Sequence, residues 1–172
     1  MFILSLIFFN APIAIYDFKK VKDTTDWFVV NDGVMGGLSQ GSLSKNEAGH
    51  GLFKGFVTTE NNGGFSSIRY QFDEKDVSEF SFIVLKVKGD GKTYQFRIKE
   101  NASQRYSYIR DFKTTGAWET IKIPLTSFYP SFRGYALDKS NYSGMIMEEI
   151  ALLIGNKKKE SFALEIKSIG LE

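Results

Sequence analysis

Apolar and polar residues alternate with a period of two through most of this chain, and no window of useful length carries the period of an amphipathic helix. In "TYQFRIK", Tyr94, Phe96 and Ile98 fall on one side while Gln95, Arg97 and Lys99 fall on the other, which predicts a strand with one dry and one wet face. "FSFIVLKVKG", from Phe80, is apolar on both sides through its first half, as in a strand covered on both faces. The Asp90-Gly91 pair that follows is a two-residue hairpin signal, so these two runs are expected to pair. "SYIRDF", "WETIKIPL", "IALLIG" and "FALEIKSIGL" supply further strands, with "TTGA" and "GNKKKE" as turns between them. "GSLSKNEAGHGLFKGFVTTE" reads as two strands around a glycine-containing turn, and only "YSGMIMEEI" has room for a turn or two of helix. Roughly nine or ten short strands at this spacing predict an all-β fold, an antiparallel β-sandwich or jelly roll. The alternation runs on to Ile169 and Leu171, and the first and last strands are expected to pair.

Composition narrows the picture. A chain of 172 residues makes one domain with a core of its own, and 16 Phe, 8 Tyr and 16 Gly against 3 Pro lean toward sheet and turn. Lys plus Arg number 22 against 20 acids, and no basic stripe interleaves with aromatics, so nucleic acid is not an expected partner. The basic run Lys157 to Lys159 reads as a solvated hairpin tip. Cysteine is absent, which excludes disulfides and thiolate chemistry.

The N-terminal "MFILSLIFFNAPIAIYDF" opens with an apolar run of signal-peptide length, too short to span a bilayer, with Ala14 just ahead of a cleavage point. No Lys or Arg precedes that run, and Pro12 stands where a small residue is wanted. The reading favours export, periplasmic or secreted, over a cytoplasmic location. Residues 1–14 are then a leader or an extension of the first strand, residues 15–172 form the domain, and no transmembrane segment is expected.

Candidate chemistry is sparse. The single histidine, His50, lies in the glycine-flanked turn "NEAGHGLF" and reads as solvated, so neither a catalytic triad nor a zinc site is expected. A calcium loop would need more carboxylates than "NDGVMGG" offers. Asp32, Glu60, Asp111 and Glu119 are available for a glycosidase-like pair, though nothing in their spacing joins two of them. No metal and no cofactor is called for.

Two glycine-rich stretches remain, "NDGVMGGLS" over residues 31–39 and "ENNGGFSSIRY" over residues 60–70. Glycine permits positive φ and close backbone approach, while Asn and Asp bond to nearby amides, so both are specified turns at strand ends. Neither has the spacing of a dinucleotide or phosphate loop. Loop-shaping falls to Gly33, Gly36, Gly37, Gly63 and Gly64.

"DWFVVNDGVMGGLSQGSL", followed by "GLFKGFVTTENNGGFSSIRYQF", resembles the complex I intermediate-associated protein family, which carries a Trp-x-Val-Val-Asn-Asp-Gly-Val-Met-Gly-Gly-x-Ser block and then a Glu-Asn-Asn-Gly-Gly-Phe-x-Ser-x-Arg block. "YQFRIK", "WETIKIPLTSFYPSFRG" and "FALEIKSIGLE" fit the same pattern, so the resemblance covers residues 15 to 172. It implies a galactose-binding-like jelly roll. Mitochondrial members act as chaperone-like factors in complex I assembly with additional sequence, and this compact chain is more similar to the bacterial single-domain type.

In such modules ligands sit on a sheet face or in the loops at one end. The expected function is therefore a non-catalytic binding or assembly module, recognising a protein partner or a carbohydrate-like ligand on a face bordered by the two glycine loops. Asn31, Asp32, Asn61 and Asn62 would offer polar groups, Arg69 and Arg97 would stand on the sheet face, and Tyr106 or Trp118 would stack. The alternative from another class is a hydrolase using Asp32 or Glu60 with Arg69 or Arg97. The plainer structural reading has Asp32 and the Asn residues capping their own loops, Met35, Trp27 and Phe65 in the core, Arg69 paired with an acid, and the two blocks holding each other.

Overall fold

A computed structural model of the chain describes residues 11–172, and within them leaves aside the side chains of Val34 and Met35. The expected leader falls mostly on residues 1–10, outside the described residues, and the core position expected for Met35 lies outside them too.

Among the described residues, thirteen strands build two antiparallel sheets. The first sheet holds β1 (Ile13–Asp17), β3 (Gln40–Lys45), β4 (Gly51–Val57), β6 (Phe82–Lys88), β9 (Trp118–Pro124) and β13 (Glu160–Leu171), in the order β3-β4-β13-β6-β9, with β1 also paired to β13. The second holds β2 (Trp27–Asn31), β5 (Ser66–Asp76), β7 (Thr93–Lys99), β8 (Ser107–Lys113), β10 (Tyr129–Phe132), β11 (Tyr135–Ala136) and β12 (Ile146–Ile154), in the order β11-β10-β8-β7-β12-β5-β2. The all-β sandwich read from the alternation is the observed fold, and the expected pairing of first and last strands is observed between β1 and β13.

The alternating residues close the interior. Tyr94, Phe96 and Ile98 of β7, Ile150, Leu152 and Ile154 of β12, and Ile68 of β5 face Phe53, Ile83, Leu85, Leu164 and Ile166 of the opposing sheet, all buried. Trp27 joins the layers at one end, stacked between Phe18 and Tyr70 with the edge of Tyr16 against it. Fully burying side chains of this size contributes about 1.5–3 kcal/mol each, which is what overcomes the entropy of ordering so many strands.

Four local expectations are corrected. Asp90-Gly91 does not close a hairpin, because β6 lies in the first sheet and β7 in the second. The Asp90 carboxylate instead accepts bonds from the Lys92 amide, the Tyr94 hydroxyl and the Ala163 amide, so the turn is an arch tied to both layers. "GNKKKE" likewise crosses from β12 to β13, between sheets, so Lys157 to Lys159 are exposed but not at a hairpin tip. "YSGMIMEEI" forms no helix, its second half being the start of β12, central in the second sheet. His50 is buried, not solvated: only 6% exposed, it packs edge-on to Trp118 at 4.8 Å with Nδ1 3.4 Å from Glu165.

Candidate functional site

The two glycine blocks meet at one end of the second sheet. The first leaves β2 at Asn31 and makes a short 3-10 turn over Asp32–Met35, closed by Gly36 at φ 85°. The second makes a turn over Glu60–Asn62, in which Asn61 and Asn62 hold φ values of 54° and 58°, before entering β5 at Ser66. Asparagine tolerates that left-handed region better than most residues.

Asp32 joins them. It is 4% exposed, and its Oδ1 accepts the Ser39 amide at 3.1 Å while Oδ2 accepts the Gly64 amide at 2.6 Å and the Phe65 amide at 3.3 Å. Asn31 does the same one residue earlier, its Oδ1 accepting the Gly41 amide at 3.1 Å and the Ser66 hydroxyl at 2.7 Å. Ser39 and Thr58 add a reciprocal pair, the Ser39 hydroxyl donating to the Thr58 carbonyl and accepting the Thr58 amide. Burial pushes the Asp32 carboxyl up, but the Ser39 side chain and the amides of Gly64, Ser39 and Phe65 outweigh it and hold the group below the ordinary carboxylate value.

Gly37 and Gly63 are required by this carboxylate. A Cβ on Gly37 would lie 2.2 Å from Asp32 Oδ1, and one on Gly63 would lie 2.5 Å from Oδ2 and 2.9 Å from the Thr58 carbonyl. Gly37→Ala is therefore expected to lower stability by roughly 1–3 kcal/mol, as overpacking does. Gly33 has open space around it, so Gly33→Ala on the same thermal-denaturation assay should change little. Equal melting temperatures for the two variants would refute the close-packed joint.

Next to this joint lies the outward face of the second sheet. Strand register sets a row across six strands there: Phe28, Arg69, Ala151, Arg97, Ile109 and Tyr129. One step toward the joint the row is Val30, Ser67, Leu153, Gln95 and Asp111, and one step away Gln71, Glu149 and Lys99 are neighbours. Among the described residues no third layer of strands or helices lies over this face. Its floor is nonetheless shielded: Ala151 is 2% exposed and Ile109 and Leu153 are buried, because long polar side chains stand around small and apolar ones.

The polar groups are organised. Glu149, buried, accepts Gln71 Nε2 at 2.6 Å and faces Lys99 Nζ at 3.5 Å. Asp111 accepts Gln95 Nε2 at 2.9 Å, and the Gln95 oxygen accepts Arg97 Nε at 2.7 Å. Burial, then the neighbouring Arg69 charge, pull the Arg97 guanidinium down to about 10, with Asp111, Glu149 and Tyr129 acting the other way. It stays charged at neutral pH.

The structure thus gathers Arg69 and Arg97 on one face and puts Asn31 and Asp32 in the joint at its end. Asn61 and Asn62 are exposed on the second loop. Trp118 is elsewhere, on the outward face of the first sheet under Lys167 Nζ, 4.2 Å from the ring centroid. Tyr106 continues the inward side of β8 past its end, beside Tyr108 and against the core. The four carboxylates considered for a catalytic pair are dispersed: Asp32 in the joint, Glu60 exposed in a turn, Asp111 on Gln95, and Glu119 capping Thr115 in the first sheet. Among the described residues no group of His, Asp and Glu is placed to hold a metal ion, and no helix is long and apolar enough to cross a membrane. Phe28, Tyr129, Gln95 and Ala151 were not singled out by motif reading. The sequence signal for Gln95 and Ala151 is a small or polar residue on the alternate positions of strands whose other positions are strongly apolar; Phe28 and Tyr129 carry no such signal.

Comparison with known proteins gives a family and a fold. The family model described as "Complex I intermediate-associated protein 30" matches residues 16–166. The mitochondrial complex I intermediate-associated protein 30 of Drosophila melanogaster is 26% identical over 92% of this chain and 62% of its own length, and that of Mus musculus is 26% identical over 91% and 55%. The chain therefore spans somewhat more than half the length of these curated relatives. Among solved structures, the family 11 carbohydrate-binding module from Clostridium thermocellum in complex with a β-1,3-1,4-mixed-linked tetrasaccharide superposes with a TM-score of 0.66 at 20% identity, covering 92% of this chain and 94% of the module.

Proposed function

The chain belongs to the complex I intermediate-associated protein 30 family, and on that premise we propose that it is a non-catalytic binding module that takes a carbohydrate-like ligand on the outward face of the second sheet. The observation that carries this is the open row from Phe28 to Tyr129, with an apolar floor, ordered amide and guanidinium groups, and an aromatic ring at each end. Rings of that kind cover sugar faces while amides match hydroxyls. The neighbouring fold whose described structure contains a bound tetrasaccharide supports the choice of ligand class. Binding without turnover is supported by Asp32, which spends both oxygens on backbone amides and lies below rather than above the ordinary carboxylate value.

A second reading has its own observation. Phe28 at 40%, Val29 at 39% and Leu38 at 49% exposure form an apolar rim on edge strand β2 and the loop after it, the kind of surface a protein partner covers. This fits the relatives whose names refer to complex I intermediates.

The deciding experiment measures retention of the full chain by immobilised polysaccharides. Phe28→Ala and Tyr129→Ala are expected to weaken retention by about tenfold each, the factor that 1.4 kcal/mol of lost contact makes. Trp118→Ala, on the other sheet, should leave it unchanged. Retention lost only in Trp118→Ala would move the site to the first sheet, and no retention at all would favour the protein partner.

A further inference from the structure

Arg69 and Arg97 are both Cα partners of Ala151, one on each side, so they flank it at two strand spacings, roughly 9.6 Å. Both project outward from the same face, and the small alanine between them lets the two long side chains close over the floor. Among the described residues no carboxylate lies within 4 Å of either guanidinium. The nearby acids are already used, Asp111 by Gln95 and Glu149 by Gln71 and Lys99. Among the described residues, Nε alone of the five N–H donors on Arg97 has a protein partner, and no side-chain hydrogen bond holds Arg69. Two like charges this close on a half-shielded surface disfavour each other unless a counter-charge is supplied.

We propose that the ligand of this face is an acidic glycan, whose carboxylate or sulfate groups are gripped by Arg69 and Arg97 above Ala151. The inference rests on the carbohydrate reading above and names the class of sugar. A guanidinium offers a planar fork that matches carboxylate and sulfate oxygens in pairs, which an ammonium does not. The site runs across the strands, one residue per strand, with rings at its ends and the amides of Gln95 and Gln71 beside it. That suits a polymer lying over the sheet, whereas a peptide joining a sheet would use its edge.

The test is calorimetric titration of the full chain with oligogalacturonate (carboxylate), sulfated galactan oligomers (sulfate) and mixed-linkage β-glucan oligomers (neutral). At least one acidic series should bind tenfold or more tightly than the neutral one. Arg69→Gln and Arg97→Gln should each cost about 10- to 100-fold, the range for a hydrogen bond to a charged group, with an unchanged melting temperature. Arg97→Lys, which keeps the charge and loses the fork, should still cost about tenfold. Lys54→Gln, on the outward side of the first sheet, should cost nothing. Any of four results would overturn the inference. Equal binding of neutral and acidic oligomers, indifferent to the arginine variants, would discard the acidic ligand and keep the face. An equal loss in Lys54→Gln, or full rescue by Arg97→Lys, would reduce the effect to general charge attraction. Binding of none of the three series would remove the carbohydrate reading itself.

Discussion

Asp32→Ala should destabilise the domain by about 3–5 kcal/mol, since each of the three backbone amides it accepts costs about 1–3 kcal/mol when left without a partner and solvent can reach only some of them. Asp32→Asn should rescue little of this. One side of an amide group donates, and here both sides face N–H donors, so one set of bonds is replaced by a donor-to-donor clash. The acid dependence carries the same signature. The Asp32 carboxyl lies below its ordinary value in the fold, so the unfolded chain holds that proton more tightly. Its contribution is complete above the unfolded value of about 4 and disappears as pH falls through the lower folded value. Urea denaturation at neutral pH should separate wild type and Asp32→Ala widely, and the gap should close in acid. Equal stability at neutral pH would mean that the joint does not hold the blocks together.

The second large effect is at Trp27. Its indole lies 5.8 Å from the Phe18 ring and 5.4 Å from Tyr70, both stacked, and 5.3 Å from Tyr16 edge-on. Tyr16 and Phe18 come from β1 and the turn after it, Tyr70 from β5, so the contact bridges the two sheets. Trp27→Ala should cost about 3–5 kcal/mol, the range for emptying a large aromatic site. Trp27→Phe should cost less than about 2 kcal/mol, because the indole Nε1 is buried with no partner among the described residues and its removal relieves that cost. Guanidinium denaturation followed by near-ultraviolet circular dichroism measures both. Equal losses in the two variants would show that ring stacking is not what holds this end.

How far the sequence led can be seen at particular residues. The alternation in Tyr94 to Lys99 placed Arg97 on a polar face correctly, because a period of two depends only on the strand itself. It carries no information about which sheet a strand enters, so Asp90-Gly91 read as a hairpin although the chain arches between layers there. The glycine blocks were legible as paired, shaped loops, but not that one carboxylate joins them, since Asp32 and Gly64 are brought together only by β2 pairing with β5. His50 misled because flanking glycines suggested a turn in water. Gly51 instead makes room for the Phe18 ring, and Trp118 arrives from a strand far along the chain. The row from Phe28 to Tyr129 needs five strand registers at once, and no local pattern encodes those.

The placement of β12 and β13 has a consequence for how the chain acquires its structure. β12 lies between β7 and β5, and β13 between β4 and β6, so each sheet is keyed by one of the two strands latest in chain order. β4, β5, β6 and β7 each lack one of their partners until these two strands have emerged. Such long-range pairings fold slowly, and the waiting strands present bare apolar edges meanwhile. A ribosome-bound chain stopped before Ile146 would hold neither sheet complete, so both sheets close only after β12 and β13 have emerged.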